Sequence, residues 1–196
     1  MTYQFTQDWF HWAPPVLEQI KPLLPERKRF LEIGSFEGRS TVWFVEHMLD
    51  DGGVVVAIDT WEGGEEHQAA NMDMGSVEDR FDHNVRVVGE KFPDRYVSKV
   101  QDTSRAALAN QLVYELNQYD FIYIDGSHTA KDVITDAVMA WPLLKQQGVV
   151  VFDDYLWGDA RDVLHRPKLA VDAFTALFAE EINVLHIGYQ YVIQKK

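Results

Sequence analysis

The amino-acid sequence predicts a single α/β domain built on a mostly parallel, doubly wound sheet. Three observations predict it. Short apolar runs alternate with stretches of helical periodicity along the chain. The runs stop at Gly34, Asp59, Asp125 and Asp153, so glycine and carboxylates gather where strands end. The last two runs are joined by a short turn instead of a helix, which only antiparallel neighbours allow. A length of 196 residues fits one domain of ordinary size, expected to span 1–196 with 1–27 as an N-terminal helical or lid segment and 28–196 as the core.

The elements follow in order. Residues 14–24 (PPVLEQIKPLL) read as an opening helix with proline at its start. Residues 29–33 (RFLEI) form a buried strand that stops at Gly34. Residues 38–49 carry apolar side chains at helical spacing, and 54–58 (VVVAI) is a second buried strand ending at Asp59. The polar stretch 61–95 holds a helix around 76–90. Residues 97–101 are a third strand and 104–117 a helix; 120–124 (DFIYI) is a fourth strand ending at Asp125. Residues 129–146 read as a helix that Pro142 kinks or breaks. The fifth strand, 148–152 (GVVVF), ends at Asp153, and 168–180 is the last helix. The tail, INVLHIGYQYVIQKK, reads as two strands turning at Gly188. The sum is a Rossmann-like, seven-stranded sheet, mostly parallel with one antiparallel strand near the C-terminus.

Composition narrows the function. Apolar residues make up 46% of the chain, enough for a sizeable core. The net charge of −13 would repel a phosphate backbone, so nucleic acid is not expected as a partner. No run approaches the ~20 apolar residues that span a bilayer, and no signal peptide is read at the N-terminus, so no membrane association is expected. There is no cysteine, which removes disulfides and thiolate chemistry and fits a cytoplasmic protein.

Open α/β sheets bind ligands beyond the carboxyl ends of their strands. The first strand runs into Glu32-Ile33-Gly34-Ser35-Phe36-Glu37-Gly38-Arg39-Ser40. Its glycines are spaced G-x-x-x-G, not the G-x-G-x-x-G that packs a pyrophosphate, which favours a cofactor without one and counts against a nicotinamide enzyme. Asp59 stands where an acidic residue accepts from ribose hydroxyls, and Asp102, with Ser104 beside it, can reach an adenine edge. Glu32 could instead be a structural carboxylate, and Asp59 could cap a turn. From FLEIGSFEGRST through VVAIDTW, VQDTS and YDFIYIDGSH to GVVVFDDY, the chain resembles the class I S-adenosylmethionine-dependent methyltransferases. The resemblance implies S-adenosyl-L-methionine as cofactor, held by Glu32, Gly34, Ser35, Gly38, Ser40, Asp59, Thr60, Trp61, Asp102, Thr103, Ser104 and Asp125. Trp61 would pack on the adenine.

Asp125, Asp153 and Asp154 sit at neighbouring strand ends. Three carboxylates make a hard oxygen site suited to a divalent cation such as Mg²⁺. His128, three residues beyond Asp125, can take a proton near neutral pH. The pattern is similar to catechol and antibiotic-sugar O-methyltransferases, where the position of His128 holds a lysine in the first group and a histidine in the second. It implies His128 and Asp125 as catalytic residues and Asp125, Asp153 and Asp154 as metal ligands. The acceptor is expected to be a small hydroxylated metabolite, a sugar, polyketide or phenol. Metal-free methylation of nitrogen or carbon, and a non-catalytic S-adenosylmethionine-binding protein, stay open. The loops 61–95 and 155–167 are where specificity is expected. Trp9, Phe10 and Trp12 are expected to pack on the core, close over the site, or meet a second subunit in a homodimer.

Overall fold

The computed structural model describes residues 1–64, 67 and 70–196. Among these residues the strands are β1 (Arg29–Ile33), β2 (Val54–Asp59), β3 (Tyr96–Gln101), β4 (Tyr119–Ile124), β5 (Leu144–Phe152), β6 (Ile182–Ile187) and β7 (Tyr191–Lys195). They form one sheet in the order β3-β2-β1-β4-β5-β7-β6. The first five are parallel, and β7 runs antiparallel between β5 and β6. The order reverses beside β1, so the edge between β1 and β4 is the switch point where such sheets bind ligands.

The helices are α1 (Pro14–Ile20), α2 (Arg39–Trp43), α3 (Val77–Lys91), α4 (Ser104–Tyr114), α5 (Ala130–Ala140) and α6 (Lys168–Leu177). Strand side chains alternate between two faces. Phe30, Val55, Phe121, Tyr123, Val149 and Val151 bury against α1, α2 and the N-terminal turn. Leu31, Val56, Ile122, Ile124, Val150 and Phe152 bury against α4, α5 and α6. Because both faces are covered, β4 is buried along its whole length. Phe121 packs between Phe30 (ring centroids 4.9 Å apart) and Phe44 (5.4 Å), a position where truncation to alanine costs about 3–5 kcal/mol. No helix among the described residues is long and apolar enough to cross a membrane.

The helices expected over 104–117 and 168–180 end earlier, at Tyr114 and Leu177, and three other elements differ in form as well as extent. The opening helix gives way to a 3₁₀ turn over Lys21–Leu23, where Pro22 supplies no N–H. The second helix widens after Trp43 into a turn closed by the bond from Leu49 N–H to the Phe44 carbonyl. The helix expected over 129–146 stops at Ala140; Trp141–Leu143 form a 3₁₀ turn and residues 144–147 belong to β5. Pro142 breaks the helix, and the carbonyls of Pro142 and Leu143 accept from the N–H groups of Asn117 and Gln118, which starts the strand early.

Candidate active site

Each central strand hands its hydrogen-bond ladder one residue further. Gly34 N–H donates to Ile58 O (2.9 Å), Asp125 N–H to Ile33 O (2.8 Å), Asp153 N–H to Ile124 O (3.0 Å) and Asp102 N–H to Asp59 O (3.1 Å). The polar residues that end the apolar runs are thus fixed in one row at the carboxyl edge of the sheet.

Gly34 opens the loop after β1 with φ +84°. A Cβ there would lie 2.5 Å from the carbonyl carbon of Asp125 and overlap its oxygen, so only glycine lets the loop pass this close to the end of β4. Asp59 organises the same loop. Its Oδ2 accepts from the N–H groups of Ser35 (2.7 Å) and Phe36 (2.8 Å), and its Oδ1 from Trp61 N–H (2.7 Å). Glu32 lies wholly buried beneath the loop, where Oε2 accepts from the hydroxyls of Ser35 and Thr41. Burial pushes its carboxyl up to about 7 against the opposing pull of these hydroxyls.

A cavity of about 1440 Å³ opens above this edge. Sites for one drug-sized ligand run to roughly 300–1,000 Å³, so there is room for a nucleoside-sized molecule and a second small one. Of the residues expected around the cofactor, Gly34, Ser35, Ser40, Asp59, Thr60, Asp102, Thr103, Ser104 and Asp125 line it. Three do not. Glu32 points down into the protein. Gly38 sits at the start of α2 with φ +76°, where a Cβ would press on Phe81. Trp61 is buried away from the cavity, its indole N–H on the Phe36 carbonyl (2.8 Å) and its ring on Phe81 (4.8 Å). The expectation that Trp61 packs on an adenine is therefore corrected: it clamps the glycine loop to α3.

The acidic cluster also differs from expectation. Asp125, His128 and Asp154 present ligand atoms within 4.8 Å of one another. His128 Nε2 lies 2.9 Å from Asp154 Oδ2, and its ring meets Trp157 at 4.3 Å. Asp153, expected as the third carboxylate, also lines the cavity but spends its oxygens on other donors. Its Oδ2 accepts from the Tyr123 hydroxyl, and its Oδ1 from Gln190 Nε2 (2.7 Å) and Asp154 N–H (2.9 Å). That saturation holds the turn in which Asp154 adopts φ +56° and reaches the cavity. Burial, and then the carboxylates of Asp153 and Asp154, push Asp125 well above the ordinary range. Burial and Asp154 push Asp153 up to about 6. A cation among these groups would relieve their mutual repulsion.

Tyr189 and Gln7 line the cavity without having been singled out in the sequence, whereas Trp9, Phe10 and Trp12 had been. The β6–β7 turn supplies Tyr189, whose phenol hydrogen-bonds Asp154 and is pushed up by burial and by that carboxylate. The N-terminal strap supplies Gln7 and residues 9–12. The strap is tied down by buried Glu37, which accepts from Thr6 N–H (2.6 Å), Thr6 Oγ1 (2.6 Å) and Arg80 Nε (2.5 Å), and by Asn84, paired with both backbone groups of Gln4. Its aromatics divide between two of the expected roles: Phe10 packs into the core, whereas Trp9 and Trp12, more than half exposed, border the cavity. Trp9 meets Phe36 (5.0 Å) and His67 (5.7 Å), so strap, glycine loop and the loop after β2 share one rim.

The model of a methyltransferase-domain family matches residues 31–155, from β1 through the acidic turn after β5, and the chain belongs to that family. The class I methyltransferase resemblance and the seven-stranded fold are thereby borne out. No curated protein matches the chain by sequence. Among solved structures, an O-methyltransferase from Bacillus cereus in complex with S-adenosylhomocysteine is 19% identical, with a TM-score of 0.67 over 94% of this chain and 82% of that one. TomG, an O-methyltransferase from Streptomyces achromogenes involved in tomaymycin synthesis and solved with S-adenosylmethionine, is 17% identical, with a TM-score of 0.60 over 92% and 77%. MycE, from the mycinamycin biosynthetic pathway and solved with Mg and S-adenosylhomocysteine, is 17% identical, with a TM-score of 0.61 over 98% of this chain and 51% of MycE. This chain spans about half the length of MycE. At these identities the likeness is one of fold.

Proposed function

We propose that this methyltransferase binds S-adenosyl-L-methionine and methylates a hydroxyl group of a small acceptor, a sugar, polyketide or phenol, with the help of a divalent cation such as Mg²⁺. The observation that carries the reading is the convergence of Asp125, His128 and Asp154 on the wall of the cavity that the glycine loop and Asp59 also border. Two carboxylates and an imidazole within 4.8 Å, with Asp125 strained by like charge, fit a hard cation. Asp125, Asp154 and an acceptor oxygen would hold it, and His128 is either a third ligand or the base. A bound cation supplies Lewis acidity, which lowers the pKa of a hydroxyl on it. The cofactor supplies a methyl carbon made electrophilic by its sulfonium.

The chain's own residues do the rest. Gly34, Ser35 and the Asp59-ordered loop orient the cofactor. Asp154 Oδ2, 2.9 Å from Nε2, orients the His128 imidazole, which would receive the acceptor's proton. Trp157 and Tyr189 wall the acceptor side, and the Trp9 rim limits water. Residues 1–196 would form one domain, with 1–27 an N-terminal helical or lid segment over the core 28–196, and the lack of cysteine fits a protein of the cytoplasm.

The test is calorimetric titration with S-adenosylhomocysteine, with NAD as control, followed by an acceptor screen in Mg²⁺ and in EDTA. Binding of S-adenosylhomocysteine alone, with turnover that EDTA abolishes and Mg²⁺ restores, is the expected result. Turnover indifferent to EDTA would replace the metal reading with metal-free methylation, and a folded protein that binds neither ligand would overturn the cofactor.

A further inference from the structure

One carboxylate on the cavity wall takes no part in the chemistry above. Asp136 lies on α5 in the same stripe as Val133, Ala137 and Ala140, where the helix packs inward. Only 2% of it is exposed. A carboxylate in an apolar stripe is unfavourable unless donors satisfy it. Among the described residues Asp136 has no ion pair; the Ser104 hydroxyl at the start of α4 lies near enough to favour its ionised form. Burial, against the pull of that hydroxyl, pushes it up to about 6, so at neutral pH it is mostly an unbalanced anion. Its Oδ2 stands close to the turn after β4: a Cβ added at Gly126 would lie 3.8 Å from it, at ordinary contact distance. The space bounded by Gly126, Ser104 and Asp136 is part of the cavity. Among the described residues no N–H group donates to the Asp136 carboxylate.

Within the cofactor reading, on which this inference rests, the ribose side of the ligand lies by Asp59 and Thr60, and the base extends toward Asp102–Ser104. Asp102 itself is exposed, and its Oδ1 already accepts from Thr103 N–H (2.7 Å). An exposed carboxylate discriminates weakly because water competes, whereas a buried one left unpaired rejects a ligand that lacks the donor. We propose that Asp136 reads the nucleobase of the cofactor, accepting an N–H of the exocyclic amine of adenine on Oδ2.

The experiment is titration of the whole protein with S-adenosylhomocysteine and with its hypoxanthine counterpart, S-inosylhomocysteine, which carries a carbonyl in place of the amine. The wild-type protein is expected to prefer the adenine ligand by roughly tenfold or more, the size of a hydrogen bond to a buried charge. Asp136→Asn turns an acceptor into a donor and should bring the two affinities toward parity, while raising the melting temperature of the unliganded protein. Asp102→Asn should keep most of the preference. A folded Asp136→Asn protein with the wild-type ratio, or an Asp102→Asn protein that alone loses it, overturns the proposal. Should Asp136→Asn not fold, the wild-type ratio itself is the readout. It should shrink as pH falls through about 6, where protonated Asp136 can donate to a carbonyl; a ratio flat across that range overturns the assignment. The charged group acting on Asp136 in that titration is Asp132 on the same helix; Lys131, also on α5, and Arg105, Asp102 and Asp125 line the same cavity. Failure of the wild-type protein to bind S-adenosylhomocysteine at all would be a different result, and would remove the cofactor reading beneath this one.

Discussion

Replacing Glu37 by alanine should unfasten the N-terminal strap. The buried Glu37 carboxylate holds Thr6 by its N–H and its hydroxyl and pairs with Arg80 Nε at 2.5 Å; Arg80 is itself only 19% exposed. Hydrogen bonds to a charged group contribute about 1.5–3 kcal/mol each, and removing one partner of a buried ion pair costs about 3–5 kcal/mol. The loss is limited because the Thr6 groups regain water once the strap lifts, and because Arg80 keeps its contact with the Ser76 hydroxyl. We therefore expect about 3 kcal/mol from urea unfolding at pH 7, with a smaller loss for Glu37→Gln, which keeps acceptors but not the charge. Hydrogen exchange should speed up at residues 4–12, and S-adenosylhomocysteine should bind more weakly because Gln7 and Trp9 leave the cavity rim. A Glu37→Ala protein within 1 kcal/mol of wild type, by the same order of reckoning, and with unchanged exchange in the strap would refute the reasoning.

Gly34→Ala should cripple ligand binding and destabilise the fold by several kcal/mol or about that order, because the added Cβ overlaps the Asp125 carbonyl at a positive φ; normal unfolding and binding curves would sink this. Glu32 ionises at about 7 in the folded protein and at its ordinary 4.5 unfolded, so its contribution is full below 4.5 and lost as pH rises through 7. That is about 3 kcal/mol of pH dependence that Glu32→Gln should lack, read from urea midpoints of both proteins at pH 4.5 and 7.5. His128→Ala should lower turnover by roughly 10²–10⁴-fold if the residue is the base, with S-adenosylhomocysteine affinity nearly unchanged. Full turnover on the acceptor would remove that assignment, and a lost Mg²⁺ affinity would make His128 a ligand.

Much of the fold was legible because its signals are local. Buried parallel strands read as unbroken apolar runs, and the ladder carries the next residue into the edge row, so Gly34, Asp59, Asp125 and Asp153 were found where they stand. Side-chain direction was not legible. Asp153 and Asp154 are adjacent and chemically identical, yet one is consumed by Tyr123 and Gln190 and the other faces the cavity, a choice made by partners 30 and 37 residues away. Trp61 was misread for the same reason, since its place is set by the Phe36 carbonyl and Phe81. The strap's aromatics Trp9, Phe10 and Trp12 were legible, but its tethers were not, because Thr6–Glu37 and Gln4–Asn84 join segments 31 and 80 residues apart with no periodicity to announce them. Asp136 did leave a trace: a carboxylate at an apolar position of a helical stripe.

The contact between Trp157 and His128 has an optical consequence. A neutral imidazole against an indole leaves its emission largely intact, whereas an imidazolium at 4.3 Å is a close electron acceptor that quenches it. Emission from Trp157 would therefore track the charge on His128, and a ligand wedged between the rings would change both intensity and colour. The ring pair thus gives the molecule a built-in indicator of the charge on His128.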